Sequence, residues 1–139
     1  MLARTVTPVQ VRFQDVDMAG HVHHGVYASY FETARITFLG QFIPANHDWS
    51  REGLVLARLE TDYRGAVHLR DHVEVETWCS RLGERSFDLE YALFVTRDGE
   101  RRLCTEGRTV MVGYDLVERR ARDLPEAWRN ALITLINAS

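Results

Sequence analysis

The 139-residue sequence contains no lysine, because all 17 of its basic residues are arginine. Enzymes that need a Schiff-base lysine, a lysine in a phosphate-binding loop or a lysine general base are therefore excluded. Cysteine is scarce as well: Cys79 and Cys104 lie far apart and outside any C-x-x-C motif. Neither a disulfide framework nor a zinc ribbon is expected, and we interpret the two residues as small buried thiols on strands.

Long hydrophobic runs are also missing. No apolar stretch approaches the ~20 residues of a membrane-spanning helix, and the first ten residues hold no hydrophobic segment typical of a secretion signal. The net charge of −3 provides no overall positive field that would hold nucleic acid. We therefore expect a cytoplasmic protein with no membrane or nucleic-acid partner.

What is present is an ordinary globular composition, 45% hydrophobic and 27% charged. The length indicates one domain over residues 1–139, since chains of ~100–200 residues usually fold as one domain. Apolar periodicity predicts a strand, one long helix, four further strands and a short C-terminal helix. The predicted elements are the strand 5–13, the helix 24–42, the strands 53–63, 72–79, 87–95 and 103–114, and a helix that begins at an apparent capping box over 123–126.

These elements indicate an α+β fold in which a five-stranded antiparallel sheet wraps around one long central helix. The helix is apolar over most of its circumference, which is typical of a helix that other structure surrounds. Asp98 and Gly99 predict a tight hairpin between the last two strands. Because such a sheet leaves an exposed edge, we expect a homodimer or homotetramer in which two sheets could join edge to edge.

One stretch, residues 15–27, carries most of the chemistry-bearing side chains. Two aspartates and three histidines fall in a loop that leads into the long helix: Asp15, Asp17, His21, His23 and His24. The start of a helix offers unpaired backbone N–H groups and a partial positive charge, which suit an oxyanion. A carboxylate that faces these N–H groups across a carbonyl would suit acyl transfer.

Two other hypotheses for this stretch stay open at this point. An Asp-x-Asp pair before glycine is common in ordinary turns, so the loop could be purely structural. Asp17, His21 and His23 could instead hold a divalent cation and act as a metal-dependent hydrolase. The positions after the His-x-His pair where a further ligand would be expected hold Tyr27 and Ala28, which disfavours the metal hypothesis.

The order of residue types over 11–35 is specific: an arginine, Asp-x-Asp-x-x-Gly, a valine two places on, a histidine, a tyrosine and Glu-x-Ala-Arg. These residues are Arg12, Asp15, Asp17, Gly20, Val22, His24, Tyr27, Glu32, Ala34 and Arg35. The pattern resembles the signature of hotdog-fold acyl-CoA thioesterases, in the branch of the 4-hydroxybenzoyl-CoA thioesterases and their Tol-Pal-cluster relatives. Fainter matches at 56–63, 70–73 and 123–125 extend the resemblance over almost the whole chain.

The resemblance implies an acyl-CoA thioesterase that hydrolyses a thioester to a free acid and CoA without metal or cofactor. Asp17 matches the catalytic carboxylate, which would attack the carbonyl or deprotonate a water molecule. His24 matches the position that assists the water or the carbonyl, and the backbone N–H groups of His24 and Gly25 would form the oxyanion site. Tyr27 would line the acyl pocket.

The same resemblance places the CoA phosphates near the turn between the third and fourth predicted strands, where Arg85 and Ser86 are the candidate ligands. Residues 118–122 are expected to form a solvated charged face. A non-catalytic hotdog module that binds an acyl thioester is the alternative to an enzyme.

Three further residues of the motif have expected roles. Asp15 should accept N–H groups in a turn rather than act as a second catalytic group. Glu32 and Arg35, three positions apart on the helix, should form a local ion pair. Glu32 is also the reserve candidate for the catalytic carboxylate.

Overall fold

A computed structural model describes all 139 residues. The chain forms six strands and two α-helices: β1 (Arg4–Val9), α1 (Tyr27–Leu39), β2 (Gly53–Tyr63), β3 (His72–Leu82), β4 (Ser86–Arg97), β5 (Glu100–Asp115), β6 (Arg120–Ala121) and α2 (Glu126–Asn137). Five strands make one antiparallel sheet in the order β1-β3-β4-β5-β2, and the two-residue β6 pairs with the end of β5. Neither helix has the length and apolar character needed to cross a membrane.

The core lies between α1 and the inner face of the sheet. Phe31 of α1 is fully buried and stacks on Tyr91 of β4 with 4.7 Å between ring centroids. Gly107 of β5 allows this close approach, because a Cβ at that position would collide with the Phe31 ring. The α+β layering predicted from the sequence is therefore confirmed.

The central helix is shorter than the predicted segment 24–42. Residues His24–Val26 form a 3₁₀ turn, and α1 itself has 13 residues. The first turn is tightened because the His23 side chain accepts a hydrogen bond from the Gly25 N–H, which holds His23 in an extended conformation. The prediction of one long helix is thus wrong at both ends.

Strand boundaries also differ in physically understandable ways. The first strand stops at Val9, and Phe13, the last residue of the predicted strand, instead begins a 3₁₀ turn over Phe13–Asp15. The predicted hairpin at Asp98 and Gly99 is present, and both residues have positive φ angles, 54° and 76°.

The predicted capping box at 123–126 does not form. Pro125 is the residue that precedes α2, and no side chain caps the helix. The Asp123 carboxylate instead accepts a hydrogen bond from Arg85 Nε at 2.9 Å. A long-range ion pair has therefore replaced the local cap.

Candidate active site

The predicted catalytic loop is a small hairpin over residues 16–22. Val16 and Val22 form an antiparallel bridge, and the Asp17 N–H donates to the His21 carbonyl at 2.8 Å. The Val22 N–H donates to the carbonyl of Val67, at 2.7 Å, in the segment that precedes β3. Backbone bonds therefore fix the hairpin at the end of the sheet where β3 begins.

A charged group supports the segment on which the hairpin rests. His21 forms a backbone bridge with His68, and their rings are 4.9 Å apart. The Asp71 carboxylate accepts a hydrogen bond from the His68 N–H at 2.7 Å, and it forms an ion pair with the Arg97 guanidinium at 2.5 Å. Burial raises the pKa of Asp71, but the hydrogen bonds from Arg97 and His68 outweigh it, so that the pKa is lowered.

Asp17 presents one bonded and one unbonded carboxylate oxygen. Its Oδ1 accepts hydrogen bonds from the N–H groups of Ala19, at 2.9 Å, and His21, at 3.2 Å. Gly20 has a φ of 79°, which the tight turn requires and which glycine adopts without strain. The Oδ2 of this exposed residue accepts no hydrogen bond within the chain. The carboxylate is thus oriented by two donors and still has lone pairs available for a substrate.

Asp15 is buried below the hairpin and ties it to the helix. Its carboxylate accepts hydrogen bonds from the Arg12 N–H at 2.9 Å and from the Tyr30 hydroxyl at 2.7 Å, and it pairs with the Arg12 guanidinium at 3.1 Å. The His23 N–H donates to the Asp15 carbonyl at 2.9 Å. Asp15 therefore accepts N–H groups, as predicted, whereas its bond to Tyr30 was not predicted.

The helix start offers one free backbone donor. The Gly25 N–H donates to Nδ1 of His23 at 3.1 Å, whereas the His24 N–H donates to no acceptor in the chain. The His24 carbonyl accepts a hydrogen bond from the Tyr63 hydroxyl at 2.8 Å. Of the two predicted oxyanion donors, one is free and the other is occupied by the neighbouring histidine ring.

Tyr27 lies in the core beneath the helix start. Its ring contacts those of Tyr63 and Tyr30 edge-on, with centroid distances of 5.2 and 6.1 Å. Burial raises the pKa of the Tyr27 hydroxyl. The ring is thus a packed core aromatic within one chain, and its place in an acyl pocket stays a prediction.

The predicted phosphate ligands lie at the opposite end of the sheet from Asp17. The hairpin rests on the segment before β3, whereas Arg85 and Ser86 follow that 11-residue strand, which spans about 33 Å. The Ser86 hydroxyl accepts a hydrogen bond from Arg81 at 2.8 Å. One chain therefore does not bring these two residues to Asp17.

Sequence reasoning missed an arginine cluster beside Arg85. Four arginines line a depression of about 670 Å³, together with Asp115, Glu118 and Asp123. We call it the arginine basin; its arginines are Arg51, Arg85, Arg120 and Arg122. Arg122 donates to the Arg51 carbonyl at 2.8 Å, pairs with no carboxylate, and has a buried Nε without a partner. The run 118–122 contains the signal, but the sequence alone suggested only a solvated face.

The model of the family described as the Thioesterase-like superfamily matches residues 11–132. This chain belongs to that superfamily. The predicted hotdog fold and the predicted class, a thioester hydrolase, are both confirmed at this level.

Individual proteins of known sequence or structure also align with most of this chain. The acyl-CoA thioester hydrolase YbgC of Escherichia coli O157:H7 is 25% identical over 127 residues, 86% of this chain and 89% of that protein. A thioesterase from Thermus thermophilus, crystallised with coenzyme A and Zn, is 36% identical, with a TM-score of 0.78 over 91% of this chain and 95% of that one. A Bacillus stearothermophilus protein described as a predicted thioesterase shares the fold at 24% identity, with a TM-score of 0.85 over 96% and 97% of the two chains.

One expectation for this motif, the ion pair between Glu32 and Arg35, is not met. Arg35 forms no ion pair with Glu32, because its guanidinium points to the sheet and donates to the Tyr91 hydroxyl at 3.2 Å. Glu32 is exposed on α1, outside the hairpin that carries Asp17.

The metal hypothesis for the loop also finds no support in the side-chain arrangement. No three His, Cys, Asp or Glu side chains are grouped so that they could hold a metal ion. Asp17 directs its Oδ1 into the hairpin and His23 directs its Nδ1 to the Gly25 N–H, so these two side chains and His21 do not converge.

Proposed function

We propose that this protein hydrolyses acyl-CoA thioesters to a free acid and CoA, with Asp17 as the catalytic carboxylate. The observation that carries the proposal is the unbonded Oδ2 of Asp17, held by a rigid hairpin that leads directly to the free N–H of His24. The YbgC and Thermus relatives, an acyl-CoA thioester hydrolase and a thioesterase with bound coenzyme A, support the substrate class. The assignment to the 4-hydroxybenzoyl-CoA and Tol-Pal branch stays a prediction from residues 11–35.

Two chemical routes fit this arrangement. Asp17 Oδ2 attacks the thioester carbonyl, the C–S bond breaks to release the CoA thiolate, and water then hydrolyses the mixed anhydride. Alternatively, Asp17 accepts a proton from a water molecule that attacks the carbonyl, and the proton passes to the leaving thiolate. In both routes the His24 N–H stabilises the oxyanion, as expected for an unpaired donor at a helix start. The His24 ring would assist the water or the carbonyl.

The arginine basin is the candidate site for the CoA phosphates. Guanidinium groups bind phosphate with directed, charge-assisted hydrogen bonds. Arg122 is the strongest member, because its guanidinium donates only to the backbone carbonyl of Arg51 and pairs with no carboxylate. Arg85 stays in the assignment as a neighbour, although it already pairs with Asp123. Ser86 is less available, because Arg81 occupies its hydroxyl.

A dimer would bring the two ends of the sheet together. β2 is an unpaired edge strand of 11 residues without proline, whereas the other edge, β1, has six residues and contains Pro8. Leu56 and Leu59 of β2 stand opposite the buried Met111 and Thr109, hence on the helix side of the sheet, but remain 49% and 39% exposed. A second copy would cover them, so we propose antiparallel pairing of the two β2 strands.

Antiparallel pairing about the middle of β2 sets the start of one strand, Gly53, against Tyr63 at the end of the other. Tyr63 holds the His24 carbonyl, and Arg51 of the arginine basin lies two residues before Gly53. Each Asp17 would then face the arginine basin of the other copy. Light scattering distinguishes this dimer from a tetramer of two such dimers.

The proposal keeps the sequence-based expectation of a cytoplasmic enzyme. Cys79 and Cys104 are both free thiols, as is usual in a reducing compartment. The mechanism uses no cofactor.

The decisive experiment measures free-thiol release from a panel of acyl-CoAs by wild type and Asp17→Asn. We expect the variant to fold normally and to lose at least ~100-fold in kcat, the scale of one catalytic base. Asp98→Asn is the matched control, because this exposed aspartate lies in a hairpin turn whose positive φ asparagine also adopts. Near-normal turnover by Asp17→Asn would overturn the assignment and direct attention to Glu32. Binding of CoA without turnover by the wild type would favour the non-catalytic module.

A further inference from the structure

An apolar pocket lies at the C-terminal end of α1, between the helix and its connection to β2. It has a volume of about 530 Å³, within the ~300–1,000 Å³ common for ligand sites. Six apolar residues line it: Ile36, Leu39, Ile43, Pro44, Ala45 and Trp49. We call it the α1 pocket. Nothing in the proposed hydrolysis step uses it.

The chemistry of the α1 pocket restricts what it could bind. No charged side chain lines it, and the indole N–H of Trp49 is the only side-chain hydrogen-bond donor. A hydroxyl or carboxylate placed there would lose its water without gaining a matching set of partners. Ile36 and Trp49 are 65% and 43% exposed, so an apolar occupant would cover hydrophobic surface that is now open.

The α1 pocket lies next to the arginine basin along the chain. Trp49 belongs to the α1 pocket and Arg51, two residues later, belongs to the arginine basin. The segment 49–53 therefore has an apolar site on one side and a cationic site on the other. In the antiparallel dimer this segment meets the end of β2 from the second copy, where Tyr63 holds His24. An acyl-CoA has the same order of parts: an apolar chain, a thioester and then phosphates.

We propose that the α1 pocket binds the acyl chain of the substrate and selects linear aliphatic chains without polar substituents. This inference rests on the proposed thioesterase function and on the antiparallel dimer. Each methylene that enters the pocket raises kcat/KM about fourfold until the pocket is filled, since a buried CH₂ contributes that much to binding. Hydroxybenzoyl-CoA and dicarboxylic acyl-CoAs are poor substrates, because their polar groups find no partner there.

The test compares Ile36→Trp, which fills the pocket, with Ile133→Trp on α2. Ile133 is a suitable control because it is also a half-exposed helical isoleucine, 44% exposed, and lies outside the pocket. Thiol release is measured with a series of saturated acyl-CoAs from acetyl to palmitoyl and with 4-hydroxybenzoyl-CoA. Relative to its effect on acetyl-CoA, Ile36→Trp should lower kcat/KM for decanoyl-CoA by about 30-fold or more, while Ile133→Trp leaves the chain-length profile unchanged.

A binding measurement separates failure of this inference from failure of the proposed function. Calorimetry with decanoic acid and with a non-hydrolysable decyl-CoA thioether reports chain binding without turnover. Chain-dependent binding that Ile36→Trp abolishes, with no hydrolysis of any substrate, supports the pocket and overturns the thioesterase proposal. Turnover with a flat chain-length profile, or preference for 4-hydroxybenzoyl-CoA, overturns the pocket and leaves the thioesterase proposal intact. If Ile36→Trp changes dimerisation and leaves the chain-length profile unaltered, the pocket proposal is also overturned, because the second copy would then occupy the α1 pocket.

Discussion

The two ends of the sheet differ in how their charged groups are used. Where β3 begins, Asp15 and Asp71 are held by internal hydrogen bonds and support the hairpin that presents Asp17. Where β4 begins, the arginine basin contains Arg122, a cation without a carboxylate partner. About 33 Å of β3 separates the two ends. The chain thus carries the proposed catalytic carboxylate at one end of the sheet and the proposed phosphate site at the other, and the proposed dimer would bring the two together.

The largest effect is expected from a substitution that prevents the proposed dimer, because Asp17 of one copy would then no longer face the arginine basin of the other. Leu56→Glu would place a carboxylate in the proposed β2 interface, and burying that charge costs several kcal/mol. We expect a monomer whose kcat/KM is lower by about 100-fold or more. Light scattering and thiol release, measured on the same sample, check both parts.

The other edge of the sheet provides the matched control for this change. Val6 of β1 is 47% exposed, close to the 49% of Leu56. Val6→Glu should leave both oligomeric state and activity unchanged. A fully active Leu56→Glu monomer would show that one chain contains the whole site.

The next effect concerns the cationic end alone. Arg122→Gln removes the guanidinium without a carboxylate partner, so KM for acyl-CoA should rise about tenfold with kcat unchanged, as for a lost charge-assisted hydrogen bond. Steady-state kinetics at several salt concentrations measure it, and the salt dependence of KM should weaken in the variant.

Arg119→Gln is the control for this charge change, because Arg119 is exposed, lies outside the basin and forms no ion pair. If both variants raise KM equally, the phosphates are attracted by net charge and no specific basin exists.

The contrast between the two ends also explains which parts of the site could be predicted from the sequence. Asp17 and His24 lie seven residues apart, so a local motif is enough to predict them as candidate site residues. The arginine basin is assembled from residues 51, 85, 120 and 122, which only the strand order brings together. The run 118–122 contains two of these arginines, but no periodicity or spacing could indicate that residues 51 and 85 join them.

The predictions of secondary structure were right where a local signal decides the bounds of an element, and wrong where a particular side-chain contact decides them. The bounds of β2 were predicted correctly, because the short apolar run with which it begins is a local signal. The capping box failed because Asp123 found Arg85, 38 residues away in sequence. The helix start failed because one ring nitrogen of His23 competes for the Gly25 N–H, a preference that no propensity scale contains.

A smaller effect is expected from substituting Asp15, the buried residue that ties the hairpin carrying Asp17 to α1. Asp15→Asn keeps the shape of the side chain but removes the charge that Arg12 and Tyr30 share. We expect a loss of about 2 kcal/mol in the free energy of unfolding and a lower kcat with little change in KM, because Asp15 positions the hairpin without touching substrate. Tyr30→Phe removes one hydrogen bond and should cost about 1 kcal/mol. Urea unfolding and steady-state kinetics measure the two effects. An Asp15→Asn enzyme of normal stability and lowered kcat would instead place Asp15 among the reacting groups.

The smallest expected effect is the pH dependence of the stability that the Asp15 carboxylate contributes. Burial raises the pKa of Asp15. Hydrogen bonds from the Arg12 N–H, the Tyr30 hydroxyl and the Arg12 guanidinium lower it by more, so that the pKa lies below the ordinary 3.8. A carboxyl whose folded-state pKa is depressed contributes stability that is complete above its unfolded pKa and is lost as the pH falls through the folded one. The difference in unfolding free energy between wild type and Asp15→Asn should therefore be full near pH 7 and shrink below about pH 4. Comparing each protein with the other at every pH removes the contribution of Asp71, whose pKa is also lowered and which is present in both. A difference that stays constant on acidification would mean that packing, rather than the Asp15 charge, holds the hairpin against α1.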